Sequence, residues 1–288
     1  MIQAPSSRFA ELLPLLRAPG FNVYFARAVL EGRNQGTVYV DETERPRAAY
    51  ILHPCGMSLI CGFPCAESFQ DALVDHMLDT GRVRRSAELA QALPDAWHGT
   101  LSERLGPRLL GFADPRRAGL DPAAVQRLGE GRVVEWRRLN YEFDRASFEA
   151  MAGAPLQDGL RLERAGGDVF GPWQGTVLPR FFWDNPGAFM RDGVAFAVYE
   201  GARPLCVAFS AWVFDDALEI GIETRPEARG RGLAKAACAM LIRHALARGL
   251  QPVWSSHIAN QASLALASSL GFRVTRQLPY YRLVEGRV

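Results

Sequence analysis

One short stretch constrains this chain more than any other. Leu218-Glu-Ile-Gly-Ile-Glu-Thr224 alternates apolar residues with other types, as a strand does. Pro226 breaks the run, and Arg229-Gly230-Arg231-Gly232 leads into an alanine- and leucine-rich amphipathic helix from Leu233 to Gly249. A strand feeding a helix through such a loop aims unpaired backbone N–H groups, and the positive end of the helix dipole, at one point. Glycines let an anion approach the backbone, and the arginines add charge. The stretch reads as a phosphate cradle. It is not a P-loop, which needs Lys-Ser/Thr after its last glycine where this chain has Leu233-Ala234. Nor is it a dinucleotide fingerprint, because Lys235 stands where a third small residue belongs.

The downstream residues extend the pattern. Pro252 to Ser256 reads as a short strand, and Asn260-Gln-Ala-Ser263-Leu-Ala-Leu-Ala267 as an Asn-capped helix stopped at Gly271 before Phe272. Arg-x-x-Gly-x-Ala at 229–234, followed by Asn-x-x-Ser-x-x-Leu and Leu-Gly-Phe, resembles the GNAT N-acetyltransferase superfamily. More loosely, through Gly36-Thr-Val-Tyr-Val-Asp41, Leu218–Thr224 and Pro252-Val-Trp254, the whole chain is similar to two-domain bacterial GNAT proteins of the zwittermicin self-resistance type.

That resemblance implies an α/β (α+β) fold. A GNAT acyl-CoA N-acyltransferase domain with a mixed, mostly antiparallel sheet is expected at 131–288, preceded by a degenerate GNAT-like domain at 1–130. Both halves read as two helices followed by three strands, with Ala113–Pro122 as a connector. The 288 residues give each domain enough chain for its own core. The first half lacks the cradle. After its third strand comes Pro64-Cys-Ala-Glu-Ser-Phe69, with neither close-approach glycines nor arginines, so one cofactor site per chain is expected.

Composition narrows the partners. A net charge of +2 points to neither nucleic acid nor an anionic membrane. Lys235 is the only lysine, a bias typical of a GC-rich bacterial genome. No apolar run approaches the ~20 residues of a membrane helix, and the N-terminus lacks a signal-peptide core, so a cytoplasmic location is expected. Five cysteines argue against a disulfide scaffold. His53, Cys55, Cys61 and Cys65 cluster without a Cys-x-x-Cys knuckle and read as strand residues, so no metal is expected. The first domain is left room to wall an acceptor cleft or to support a homodimer.

The chemistry implied by the resemblance is acetyl transfer from acetyl-CoA to an amine of a small molecule in a ternary complex. The pantetheine arm would run along the backbone of Ile222, Glu223 and Thr224. The pyrophosphate would sit over Arg229, Gly230, Arg231, Gly232, Leu233 and Ala234. Asn260 would contact the arm, with Ser263 assisting. Alternation puts Glu219, Gly221 and Glu223 on one face of the cradle strand, the two carboxylates ~13 Å apart. Glu219 matches the superfamily's general base, with His257 a second candidate and a structural carboxylate the alternative. Where many members carry a catalytic tyrosine this chain has Ala267, leaving Tyr281 or Tyr280 as the acid. Phe170, Trp173, Phe181, Phe182, Trp183 and Phe189, with Asp184, crowd the acceptor side. A CoA-binding regulatory or assembly protein with decayed catalysis is the competing reading.

Overall fold

A computed structural model describes residues 1–16, 22–81, 84, 86–151, 156–171 and 175–283. The chain from Ser6 to Arg17 reads in sequence as the first helix; Arg17, like Trp173, lies outside the described residues. The chain divides into two compact units. The first comprises Met1–Leu139, His257–Ala259 and Gln277–Val288; the second comprises Asn140–Ser256 and Asn260–Arg276.

In the first unit, β1 (Ile2–Gln3) precedes a 3-10 helix over Ser6–Leu16. Pro14 inside that segment removes a donor that an α-helix would use. Helix α1 (Tyr24–Leu30) follows Asn22, whose Oδ1 accepts from the Tyr24 N–H at 3.3 Å. Strands β2 (Thr37–Val40), β3 (Ala48–Leu52) and β4 (Met57–Gly62) form an antiparallel meander. Helix α2 (Glu67–Leu78) then leads to β5 (Glu88–Leu93), which pairs parallel with β4. Helix α3 (Ala96–Leu105), β6 (Leu109–Leu110), α4 (Pro122–Leu128) and the start of β7 (Val133–Phe143) follow in the same unit. Tyr50, Ile60, Phe69, Leu73, Trp97 and Leu101 are its core, where α2 and α3 cover the sheet.

The expected connector, Ala113–Pro122, holds a 3-10 helix over Pro115–Arg117 and ends where α4 begins, capped by Asp121, whose Oδ1 accepts from the Ala124 N–H at 2.7 Å. The strand β5 was not anticipated. Its residues Glu-Leu-Ala-Gln-Ala-Leu are good helix formers, and burial beside β4 overrides that preference.

The second unit takes the end of β7, then α5 (Arg145–Glu149), β8 (Leu160–Arg164), α6 (Pro179–Phe182) and α7 (Pro186–Asp192). It continues with β9 (Ala195–Glu200), β10 (Arg203–Val213), β11 (Ala217–Thr224), α8 (Leu233–Ala247), β12 (Gln251–Val253), β13 (Ser255–His257), α9 (Gln261–Ser269) and the start of β14 (Phe272–Leu283). Its five-stranded sheet has the order β12-β11-β10-β9-β8. The meander β9-β10-β11, α8, and β12 parallel to β11 repeat the first unit's β2-β3-β4, α2 and parallel β5. Leu233, Ala237, Leu241 and Ala245 recur every four residues and bury one stripe of α8 against a core that includes Leu218 and Val198. Each buried leucine there stabilises by roughly 1.5–3 kcal/mol.

Two expectations change. The strand read over 252–256 is two strands, β12 and β13, that belong to different sheets. Between them Trp254 is buried, stacks on Phe272 at 5.5 Å and donates to the Ser263 hydroxyl at 3.1 Å. The closing strand does not belong wholly to the second domain. Its residues from Gln277 count with the first unit, where Tyr280–Leu283 pair antiparallel with Glu88–Gln91.

Candidate functional site

The cradle strand forks. β11 pairs with β12 only over Ala217–Glu219, opposite Gln251–Val253. On its other side it pairs with β10 along its length, from Leu218 to Thr224. Beyond Glu219 the β12-side edge of Ile220–Thr224 therefore has no strand partner among the described residues. An unpaired edge presents main-chain donors and acceptors in the pattern an extended amide-bearing ligand can match. The first unit has no such fork, since β4 and β5 stay paired over Met57–Cys61 and Leu89–Leu93.

At its far end β11 runs into the cradle. Gly230 and Gly232 both have φ +77°, the left-handed region that favours glycine, and a Cβ on either would meet nothing within 4 Å. The loop turns through left-handed backbone, with open space over both glycines among the described residues. Among the described residues, the backbone N–H groups of Gly230 to Lys235 have no acceptor. Arg231 is steadied by the Gln157 side chain at 3.0 and 3.1 Å, and Arg229 donates to the Thr224 carbonyl at 3.2 Å. These amides, at the start of a 15-residue helix, fit a pyrophosphate.

Glu219 and Glu223 share a face, as alternation requires, but differ in surroundings. Glu219 is 6% exposed and accepts from the Ser255 hydroxyl at 2.9 Å. Trp212 stands opposite it across a bulge in β10 between Ser210 and Trp212, a feature that re-aims side chains near sites. Glu223 holds structure together. One oxygen accepts from the N–H groups of Thr176 and Val177 at 2.8 and 3.2 Å, and the other is 3.5 Å from Arg229. Between the two carboxylates, Gly221 lets the Phe209 ring cross the strand, since a Cβ there would lie 2.4 Å from it. Phe182 packs on Phe209 at 5.5 Å and on Trp212 at 5.1 Å. Trp183 donates to the Ser210 carbonyl at 2.8 Å, Phe189 is buried against Phe170, and Phe181 is exposed. Asp184 lies on the surface.

Sequence reasoning missed Ser255 as the partner of Glu219 and missed the load on Glu223. The interior glycine of β11 was the available signal for the ring crossing.

Asn260 caps α9, its Oδ1 accepting from the Ser263 N–H at 3.1 Å, while the Ser263 hydroxyl accepts from Trp254. Ala267 is fully buried, where no hydroxyl is available. The two tyrosines fall in the first unit. The Tyr281 hydroxyl is 2.8 Å from His98 Nδ1, and burial raises its pKa well above the ordinary value. Tyr280 packs edge-on against His257 at 5.7 Å, and burial pushes its phenol up to about 12. His257 accepts from the Ala259 N–H at 2.8 Å and stacks on Trp136, and burial with nearby arginines lowers its pKa. Tyr281, Tyr280 and His257 all count with the first unit. Each is occupied in the first unit's own packing. Among the described residues no group of three or more His, Cys, Asp or Glu side chains is placed to hold a metal, and no helix is long and apolar enough to cross a membrane.

A family profile described as GNAT acetyltransferase matches residues 138–281, half of the chain. The uncharacterized N-acetyltransferase YdfB of Bacillus subtilis (strain 168) is 24% identical over 260 residues, 89% of each chain. Among solved structures, a GCN5-related N-acetyltransferase-like protein from Streptococcus suis aligns over 96% of this chain and 99% of its own, with a TM-score of 0.62 and 20% identity. A tandem GNAT protein from the clavulanic acid biosynthesis pathway aligns over 100% and 98%, with a TM-score of 0.51 and 14% identity. These likenesses extend the fold to both units.

Proposed function

The chain belongs to the GNAT acetyltransferase family, and from that premise we propose that it is an acetyl-CoA-dependent N-acetyltransferase acting on a small-molecule amine by direct transfer in a ternary complex. One observation carries the proposal: the β12-side edge of β11, without a strand partner from Ile220 to Thr224 among the described residues, leads through a 3-10 turn at Pro226–Ala228 into an amide-lined glycine loop.

The pyrophosphate would be held by the N–H groups from Gly230 to Lys235, with Arg229 and Arg231 supplying charge. The backbone of Ile222, Glu223 and Thr224 would hold the pantetheine amides. Asn260 keeps its carboxamide N–H groups for the same arm, and Ser263 keeps its hydroxyl proton as a donor. When bound, acetyl-CoA supplies an acetyl thioester, an acyl group already activated toward an amine.

Glu219 stands at the apex of the fork, where β11 and β12 part. Its role is to accept the proton that the acceptor ammonium must lose before its nitrogen can attack, directly or through water, with the Ser255 hydroxyl fixing the carboxylate. Phe182, beside Glu219 on Trp212 and Phe209, excludes water from that end. No side chain of the second unit is assigned as general acid, because Ala267 occupies the position where the superfamily places one and Tyr281 is bonded to His98. A thiolate leaves without one.

The same buried Ala267 favours the competing reading, a CoA-binding protein that no longer turns over. Release of free thiol from acetyl-CoA in the presence of simple amines, aminoglycosides and peptides separates the two. Turnover on any acceptor supports the enzyme. Saturable CoA binding with no thiol release across the panel supports the binding protein.

A further inference from the structure

Building on the cofactor site proposed above, we propose that Glu223 is a positioning residue through which occupancy of the phosphate cradle tightens the acceptor-side segment Gly175–Leu178.

The carboxylate is nearly buried, its side chain 10% exposed, and it serves two elements at once. Oε2 receives the N–H groups of Thr176 at 2.8 Å and Val177 at 3.2 Å. Oε1 receives the Thr224 N–H at 3.3 Å and lies 3.5 Å from Nη2 of Arg229. The approach of the segment to the strand is close, since a Cβ at Gly175 would fall 2.7 Å from Glu223 Cγ. From Val177 the chain passes through the fully buried Leu178 into α6, whose Phe182 packs beside Trp212, the residue opposite Glu219. A continuous path of contacts thus joins the first residue of the cradle to the aromatic wall by the candidate base.

Arg229 is the movable member of this path. Its side chain is 63% exposed, and 3.5 Å is the outer limit of a hydrogen bond. A phosphate over Gly230–Lys235 offers the guanidinium a bidentate, fully charged partner, stronger than this shared contact. Drawing Arg229 to the phosphate leaves the Glu223 carboxylate to backbone amides alone, those of Thr176 and Val177 on one oxygen and that of Thr224 on the other. Those bonds strengthen when no cation competes for the same charge. Cofactor binding would then order the acceptor side in advance, and by linkage an ordered acceptor side would favour the cofactor.

Backbone hydrogen exchange on the full-length protein, with and without saturating CoA, reads this directly. The amides of Thr176 and Val177 are expected to exchange about fivefold more slowly, or better, with CoA, a change typical of coupled sites. In Glu223→Gln, CoA should still bind by calorimetry while the slowing disappears. Slowing that persists in the variant would mean direct ligand contact and would overturn the proposal. If the variant does not fold, the wild-type protein decides alone: CoA bound with unchanged exchange at these two amides refutes the coupling. A wild-type protein that gives no binding heat with CoA removes the cofactor site itself and the coupling with it, an outcome distinct from binding without slowing.

Discussion

Glu219 lies opposite Val253, and that pair is the last in which β11 and β12 run side by side. The strand's outer edge opens one residue later, so the candidate base marks the apex of the gap that would take the pantetheine arm. The position of Glu219 is thus set by sheet register as well as by its own contact with Ser255.

Glu219→Gln should lower turnover ~10²–10⁴-fold, the range for loss of general base catalysis, with CoA affinity nearly unchanged. The deficit should shrink as pH rises and the acceptor amine deprotonates in solution. A variant at full rate near neutrality would pass the role to solvent or to another group.

Gly232 and Gly249 make a matched pair. Both have positive φ (+77° and +71°) with nothing within 4 Å of a Cβ, one at each end of α8. Alanine at either should cost about 1–2 kcal/mol through left-handed strain. Only Gly232→Ala should also weaken CoA binding, by more than about tenfold, a loss of ~1.4 kcal/mol. Equal CoA affinity in the two variants would mean that the loop does not bind phosphate.

Tyr281→Phe removes the hydroxyl bonded to His98 and should lower stability by about 1 kcal/mol. Turnover should stay at the wild-type level. A stable variant with a large loss of kcat would return Tyr281 to the catalytic machinery.

His98 provides a pH test of the first unit. Burial lowers its pKa, so the folded state holds it neutral. A group with a depressed folded pKa gives stability that is present above its unfolded pKa, near 6.5, and is lost as pH falls below it. His257, lowered chiefly by burial, acts in the same direction. Melting temperature should therefore fall as pH drops below about 6.5, and His98→Gln should flatten that slope even if it starts from lower stability. An unchanged slope would show that His98 does not set the acid limb.

Much of the second unit was legible because its signals are local. The alternation of Leu218–Thr224, the glycines at 230 and 232 and the cap at Asn260 each follow from a few neighbouring residues. What escaped was long-range. Glu88–Leu93 reads locally as a helix, and only its parallel partner β4 makes it a strand. The break at Trp254 depends on a sheet change that no periodicity records. The destination of Tyr281 depends on strand β5, nearly two hundred residues earlier in the chain. Glu223 was placed on its correct face, but its hold on Thr176 and Val177 spans a separation that pattern reading does not reach.

Among the described residues one unit of this chain, and not the other, has the features proposed to receive CoA. The fork and the open cradle occur at β11 and α8, while β4 and β5 stay zipped over five residue pairs. Calorimetric titration of the full-length protein with CoA tests this most directly. The structure predicts saturation at about one CoA per chain, abolished or strongly weakened by Gly232→Ala; two equivalent sites per chain, or no saturable binding, would contradict it.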